Sequence, residues 1–133
     1  MWAASTVIPA ASFPLPGALI IAFTFAFVGG GIAAAGVWAF RQHHTTLNPM
    51  KPETASSIVT AGIYRVTRNP MYLGLALALV GWAMYLANLA ALLIVPAFVA
   101  YMTQFQIKPE ERALLAKFGP DFATYMAAVR RWI

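Results

Sequence analysis

The sequence predicts an all-α integral membrane protein with about three transmembrane helices, near residues 17–40, 70–87 and 89–107, followed by short amphipathic helices at the cytoplasmic interface. Three observations predict it. Hydrophobic residues fill 61% of the 133 positions and charged residues only 10%, against roughly 25% charged in an average soluble domain. The charges are segregated: all nine Lys and Arg, all four Asp and Glu and both His fall within residues 41–68 or 108–131. The tracts outside these clusters, 1–40 and 69–107, carry no charge at all. At this length the chain reads as one domain, residues 1–133, with no internal repeat or low-complexity tract. It contains no cysteine, which excludes disulfides, a thiolate nucleophile and a cysteine zinc site.

The amino-terminal stretch 1–16 is apolar, but Pro9, Pro14 and Pro16 argue against a regular helix there. It lacks the basic n-region of a secretory signal and is not read as a cleaved leader. Residues 17–40 are enough to cross about 30 Å of hydrocarbon at about 1.5 Å per residue. Gly29, Gly30, Gly31 and Gly36, with Ala33, Ala34 and Ala35, give that span a small-residue face suited to close helix contact. A phosphate loop is not indicated, because no strand, lysine or turn accompanies the glycines. His43 and His44 close the span. Adjacent histidines point to different helix faces and no third ligand cluster appears, so a polar helix end is preferred over a metal site, with one histidine lining a pocket as the lesser alternative.

The uncharged run 69–107 is about twice the length one span needs, so a hairpin turning near Asn88 is expected. Asn69 followed by Pro70 marks its start, with Asn as N-cap and Pro at the first helical position. Pro96 should kink the third span, a break tolerated where protein or a cavity covers the freed carbonyl. The hairpin brings both basic clusters to one side. The positive-inside rule makes that side cytoplasmic and leaves the amino terminus outside. A net charge of +5 is thereby explained by topology, and nucleic-acid binding is not expected. Beyond residue 107, Leu114, Leu115, Phe118, Phe122, Tyr125, Met126, Val129 and Trp132 recur at helical spacing among charges, predicting two amphipathic helices at the membrane surface, broken at Gly119 and Pro120. Pro109 fits a first helical position, which would put Glu110 and Glu111 in a first turn where acids offset the helix dipole.

A second reading of the same residues is chemical. The helix start at residues 69–72 offers free amides to an anion, Glu110 or Glu111 offers a carboxylate to an ammonium, and Tyr64 or Tyr72 offers an aromatic face to a cation or a purine. Taken singly, the tyrosines read as an interfacial aromatic belt and Arg65 and Arg68 as topology or headgroup residues. Residues 62–74 spell G-x-Y-R-x-x-R-N-P-x-Y-x-G, and residues 110–132 spell E-E-x-x-L-x-x-x-F-G-x-x-F-x-x-Y-x-x-x-V-x-R-W. In order and spacing these blocks, within a motif-bearing core at 56–132, resemble the isoprenylcysteine carboxyl methyltransferases and their phospholipid methyltransferase relatives.

The resemblance implies an integral membrane enzyme that transfers the methyl group of S-adenosylmethionine to a lipophilic acceptor, an isoprenylcysteine-like carboxylate, a lipid amine or a thiol, at the cytoplasmic interface. It implies cofactor contacts at Tyr64, Asn69, Pro70, Met71, Tyr72 and Glu110. Asn69 stands where many members have histidine, keeping hydrogen bonding and losing the titratable group. Gln106 stands where the prenylcysteine enzymes have an arginine for the substrate carboxylate, so a prenylcysteine acceptor does not follow. No residue identifies itself as a general base. The rival enzyme reading is a nicotinamide-dependent reductase of the sterol-reductase type, and a non-catalytic membrane partner protein is the third; the oligomeric state, a homo-oligomer included, is left open. The topology has a direct test. Single cysteines replacing Met50 and Ala127 in this cysteine-free chain should label from one side of the membrane only, and labelling from opposite sides would remove the hairpin.

Overall fold

The computed structural model describes residues 1–43 and 57–133. His44 and Met50, the latter one of the two positions for the labelling test, lie outside them. The described residues fold as helices α1 (Trp2–Val7), α2 (Ala18–Gln42), α3 (Pro70–Leu86), α4 (Leu89–Met102), α5 (Lys108–Phe118) and α6 (Pro120–Ala128), with 3-10 turns at Pro9–Ala11 and Gly62–Arg65. A π-helical stretch, Thr103–Ile107, joins α4 to α5. No strand occurs among the described residues, and a single antiparallel bridge pairs Ser12 with Asn88.

Helices α2 and α3 pack antiparallel through small residues. A Cβ added to Gly29 or to Gly74 would run into the other glycine's carbonyl oxygen. One added to Gly36 would sit 2.8 Å from Pro70 Cγ, and one on Gly81 would sit 2.8 Å from the Ala22 carbonyl oxygen. The contacts Ala22–Gly81, Gly29–Gly74 and Gly36–Pro70 therefore climb α2 in heptad steps, which keeps one stripe of each helix facing the other. Gly30 and Gly31, expected on the same face, have open space around them and take no part. The opposite side of α2 exposes Phe23, Phe27 and Trp38, apolar bulk of the kind that faces lipid.

The hairpin turn is where the sequence placed it. Ala87 adopts a left-handed conformation (φ 45°) and Asn88 caps α4, its Oδ1 accepting from the Ala91 amide at 3.2 Å. The fully buried Asn88 also donates through Nδ2 to the Ile8 carbonyl and Ser12 Oγ, each at 3.0 Å. The amino-terminal segment is thus strapped over the turn. Its prolines do exclude a long helix, but the expectation of no regular helix fails for residues ahead of Pro9, where α1 forms.

Two further expectations are corrected. Among the described residues only α2 and the run Leu89–Phe118 are long and apolar enough to cross a membrane, two helices and not three. Apolar α3 stops at 17 residues, about 25 Å at the α-helical rise, short of about 30 Å of hydrocarbon. Its ends are fixed by Asn69 and Pro70 on one side and by the left-handed Ala87 on the other. The second correction concerns Pro109, which falls in the first turn of α5 with Glu110 and Glu111 as expected, but at a start that is not free, because the π-helical stretch runs straight into it. The 30-residue run Leu89–Phe118 passes through both Pro96 and Pro109. A proline inside a helix lacks an N–H and crowds the carbonyl four residues back. The wide turn just before Pro109, closed by the Lys108 N–H donating to the Thr103 carbonyl, relieves that crowding. The break at Gly119 is as expected: its φ of 58° and ψ of −126° suit only glycine.

The arrangement gathers the end of α2, the turn 62–65, the start of α3 and the 106–131 region at one end of the bundle, with the hairpin turn and amino-terminal strap at the other. The small-residue interface predicts a contrast. Gly29→Val should destabilise the protein by about 1–3 kcal/mol through overpacking, whereas Gly30→Val should leave the melting temperature nearly unchanged. Equal shifts of the two, by thermal unfolding in detergent, would contradict this packing.

Candidate functional site

The site begins with a turn. Gly62–Arg65 is held by the Tyr64 amide on the Ala61 carbonyl (3.2 Å) and the Val66 amide on the Ile63 carbonyl (3.0 Å). The turn points Tyr64 inward, where it is 5% exposed among Ala39, Val59, Phe122 and Tyr125. The Tyr125 hydroxyl donates to the Tyr64 carbonyl at 2.7 Å, and the Tyr64 ring meets Phe40 edge-on with centroids 5.4 Å apart. The apolar face of α6 thereby packs onto the turn. Burial pushes the Tyr64 hydroxyl well above the usual tyrosine range, with Tyr125, Glu110 and Tyr72 acting on it electrostatically in the same direction.

Eight residues on from Tyr64, Tyr72 donates to Glu110 Oε1 at 2.6 Å, and Gln106 Nε2 donates to the same oxygen at 2.5 Å. Both hydrogen bonds of Glu110 among the described residues land on Oε1, leaving Oε2 for another donor. Gln106 lies in the π-helical stretch, four positions before Glu110. The two sequence blocks meet here: of the six residues implied by the resemblance, Tyr64, Tyr72 and Glu110 converge, and Pro70 and Met71 form the first turn of α3 beside them. Pro70 is fully buried against Gly36. Asn69 occupies the cap position, its carbonyl accepting from the Leu73 amide at 2.9 Å. Its side chain does not cap, contrary to the sequence expectation. Nδ2 instead donates to the Arg131 carbonyl at 2.9 Å.

Glu111 differs entirely from Glu110. It is 8% exposed and takes a bidentate pair from Arg131, Nε to Oε1 at 2.9 Å and Nη2 to Oε2 at 2.7 Å. Arg68 Nη2 lies 3.3 Å from Oε1. The hydrogen bond to Glu111 raises the Arg131 guanidinium above its ordinary value. The dipole of a free helix end does not by itself account for the glutamate pair, because the π-helical stretch runs straight into α5 and each carboxylate serves a separate network. Arg68 Nε and Nη1 are buried with no hydrogen-bond partner among the described residues. Sequence reasoning treated Arg68 as a topology residue and missed Thr67, which is fully buried and accepts from the Asn69 amide at 3.1 Å. The signal that could have found them is the shared one-end location of all the charges. His43 is exposed, with Nδ1 2.9 Å from the Ala39 carbonyl, as a polar helix end would be. No group of three metal-ligating side chains occurs among the described residues.

A family model described as phospholipid methyltransferase matches residues 18–121, from the first span through the glutamate pair. The chain belongs to that family. The suspected kinship is thus shown, and with it methyl transfer to a lipid-like substrate as the family's activity. Two helices able to cross a membrane, in a phospholipid methyltransferase relative, mark a membrane protein. A Haemophilus influenzae protein described as uncharacterized is 44% identical over 63 residues, which is 47% of this chain and all of that one. No solved structure matches.

The two glutamates should separate cleanly in this methyltransferase. Breaking a buried ion pair by removing one partner costs about 3–5 kcal/mol. With the Arg131 side chain 30% exposed, Glu111→Gln should cost about 2 kcal/mol, below that range because solvent screens part of the pair. Glu110→Gln should cost clearly less. A melting temperature lowered equally by both substitutions would contradict the two separate networks.

Proposed function

We propose that the chain methylates a lipophilic acceptor, with S-adenosylmethionine as donor, at the end of the bundle where Tyr72 meets Glu110. The observation that carries this reading is the donor and acceptor set gathered there. The residues fit the cofactor. Its carboxylate needs cationic or N–H donors, and Arg68 Nε and Nη1 are buried without a partner among the described residues, beside the open amides of the first turn of α3. Its ammonium needs an anionic acceptor, and Glu110 keeps Oε2 for it. Its adenosine needs an aromatic face, which Tyr72, half-buried, offers more readily than Tyr64, whose ring is enclosed.

When bound, S-adenosylmethionine supplies a methyl group on a sulfonium, with a neutral thioether as leaving group. The chain then needs no covalent nucleophile. Its residues hold donor and acceptor in line and exclude water from the contact. Glu110, steadied by Tyr72 and Gln106, anchors the amino-acid part, and the buried Tyr64 closes the floor. The acceptor approaches from the bilayer, and membrane lipids or lipidated molecules are the class proposed. Gln106 is engaged with Glu110 and carries no charge, which supports a neutral or amine acceptor over a prenylcysteine carboxylate. The methyl-transfer end is assigned to the cytoplasmic side because the basic residues gather there.

Calorimetry on the purified protein should show saturable binding of S-adenosylmethionine and S-adenosylhomocysteine, uncontested by the reduced nicotinamide cofactor. Glu110→Gln should weaken that affinity by about 1.5–3 kcal/mol, the range of a charge-assisted hydrogen bond. No saturable binding by folded protein would remove the enzyme reading.

A further inference from the structure

The geometry points to Arg131 as a positioning residue that keeps the two halves of the site in register; this rests on the cofactor reading above. The halves come from distant parts of the chain, the loop 67–72 that leads α3 and the helix that carries Gln106, Glu110 and Glu111. Arg131 holds one with its main chain and the other with its side chain. Its carbonyl accepts from Asn69 Nδ2 at 2.9 Å and lies 3.5 Å from the Thr67 hydroxyl. The preceding carbonyl, of Arg130, accepts from the Arg68 amide at 3.1 Å. The guanidinium grips Glu111 through two parallel hydrogen bonds, a geometry with a defined orientation as well as strength. The next residue extends the hold: Trp132 Nε1 donates at 3.0 Å to Thr103 Oγ1, at the first residue of the π-helical stretch, and that hydroxyl donates on to the Val99 carbonyl at 2.7 Å.

Neighbouring positions on a helix point about 100° apart. A carboxylate fixed at 111 therefore sets the azimuth of the carboxylate at 110. Asn69, which the family pattern places at the cofactor, also holds the tail, because its Nδ2 donates to the Arg131 carbonyl. Arg131 touches neither cofactor nor acceptor in this account and acts through Glu111 on Glu110.

The test uses the full chain in detergent, with S-adenosylhomocysteine as probe. Arg131→Met should weaken binding about tenfold in the wild-type background and add little in a Glu110→Gln background, since both act on the same carboxylate. Arg131→Lys, which keeps the charge without the fork, should fall between. Binding unchanged in folded Arg131→Met, or the same tenfold loss in both backgrounds, would overturn the proposal. A measurement without ligand separates it from the cofactor reading. In Arg131→Met, backbone hydrogen exchange should rise together in residues 67–73 and 103–111 while residues 81–91 keep their protection. A rise confined to residues 129–133 would overturn the clasp even if the cofactor binds. If the wild type binds no S-adenosylhomocysteine but the coupled exchange appears, the cofactor reading fails and the clasp stands. Trp132→Phe, which removes the indole donor and keeps a smaller aromatic ring, serves where Arg131→Met does not fold, with the same outcomes at smaller amplitude.

Discussion

A single buried carboxylate, that of Glu111, joins three stretches of chain. It lies in the helix that continues the second leg of the hairpin, it accepts the fork of Arg131 from the carboxyl-terminal tail, and Arg68 from the loop ahead of α3 approaches it. Among the described residues two guanidinium groups surround this one carboxylate, with Arg68 nearly enclosed and Arg131 partly exposed. Such a cluster holds only while each charge is paired or meets an anion. Arg68 Nε and Nη1, which have no hydrogen-bond partner among the described residues, are where that condition is unmet. Stability and ligand chemistry are therefore coupled through one residue: the group that ties the tail down also limits how Arg68 can turn.

Around this network the packing is economical. Helices α2 and α3 approach on glycine and alanine, with carbonyl oxygens where side chains would otherwise be, so that the start of α3 is carried to the end of α2 without a large apolar core between them. Lipid-like surroundings give little hydrophobic drive to such an interface, and its cohesion comes from close contact. The apolar side chains that do form a core, Tyr64, Phe122, Tyr125 and Val59 with Ala39, lie instead at the polar end, beneath the site. Rigidity is thereby concentrated where donors and acceptors have to be held.

What the sequence disclosed follows from how local each cause is. Asn69 with Pro70, Asn88 at the turn and the Gly119 break are written in one or two residues, and all three boundaries appear, although Asn69 holds its position without a side-chain cap. The match of residues 62–74 with 110–132 was visible as pattern, and the Tyr72–Glu110 contact is its physical content. The continuity of Leu89–Phe118 was hidden because Pro109 is a helix-start signal unless the turn before it widens, which depends on side chains packed from elsewhere. The tail's role was hidden for a different reason. Three of its contacts use main-chain carbonyls at 130 and 131, and a carbonyl has no letter in a sequence. Glu111 was masked by its place in an apparent first turn. The heptad Ala22, Gly29 and Gly36 was present but diluted by Gly30 and Gly31, which are spectators.

The short legs of the hairpin matter to the lipid as much as to the protein. The apolar part is 17 residues in α3 and the 19 uncharged residues 89–107 on the other leg, about 25 and 28 Å at the α-helical rise, and bilayers answer a short hydrophobic segment by thinning around it, at a modest free-energy cost per ångström. A leaflet thinned in this way next to α3 would bring headgroups toward the depth of Tyr72. Mismatch would then act as a ramp that lowers the water boundary and the lipid headgroup to the same level. A methyl donor that is soluble only in water and an acceptor that is soluble only in lipid would meet there, without either leaving its own phase.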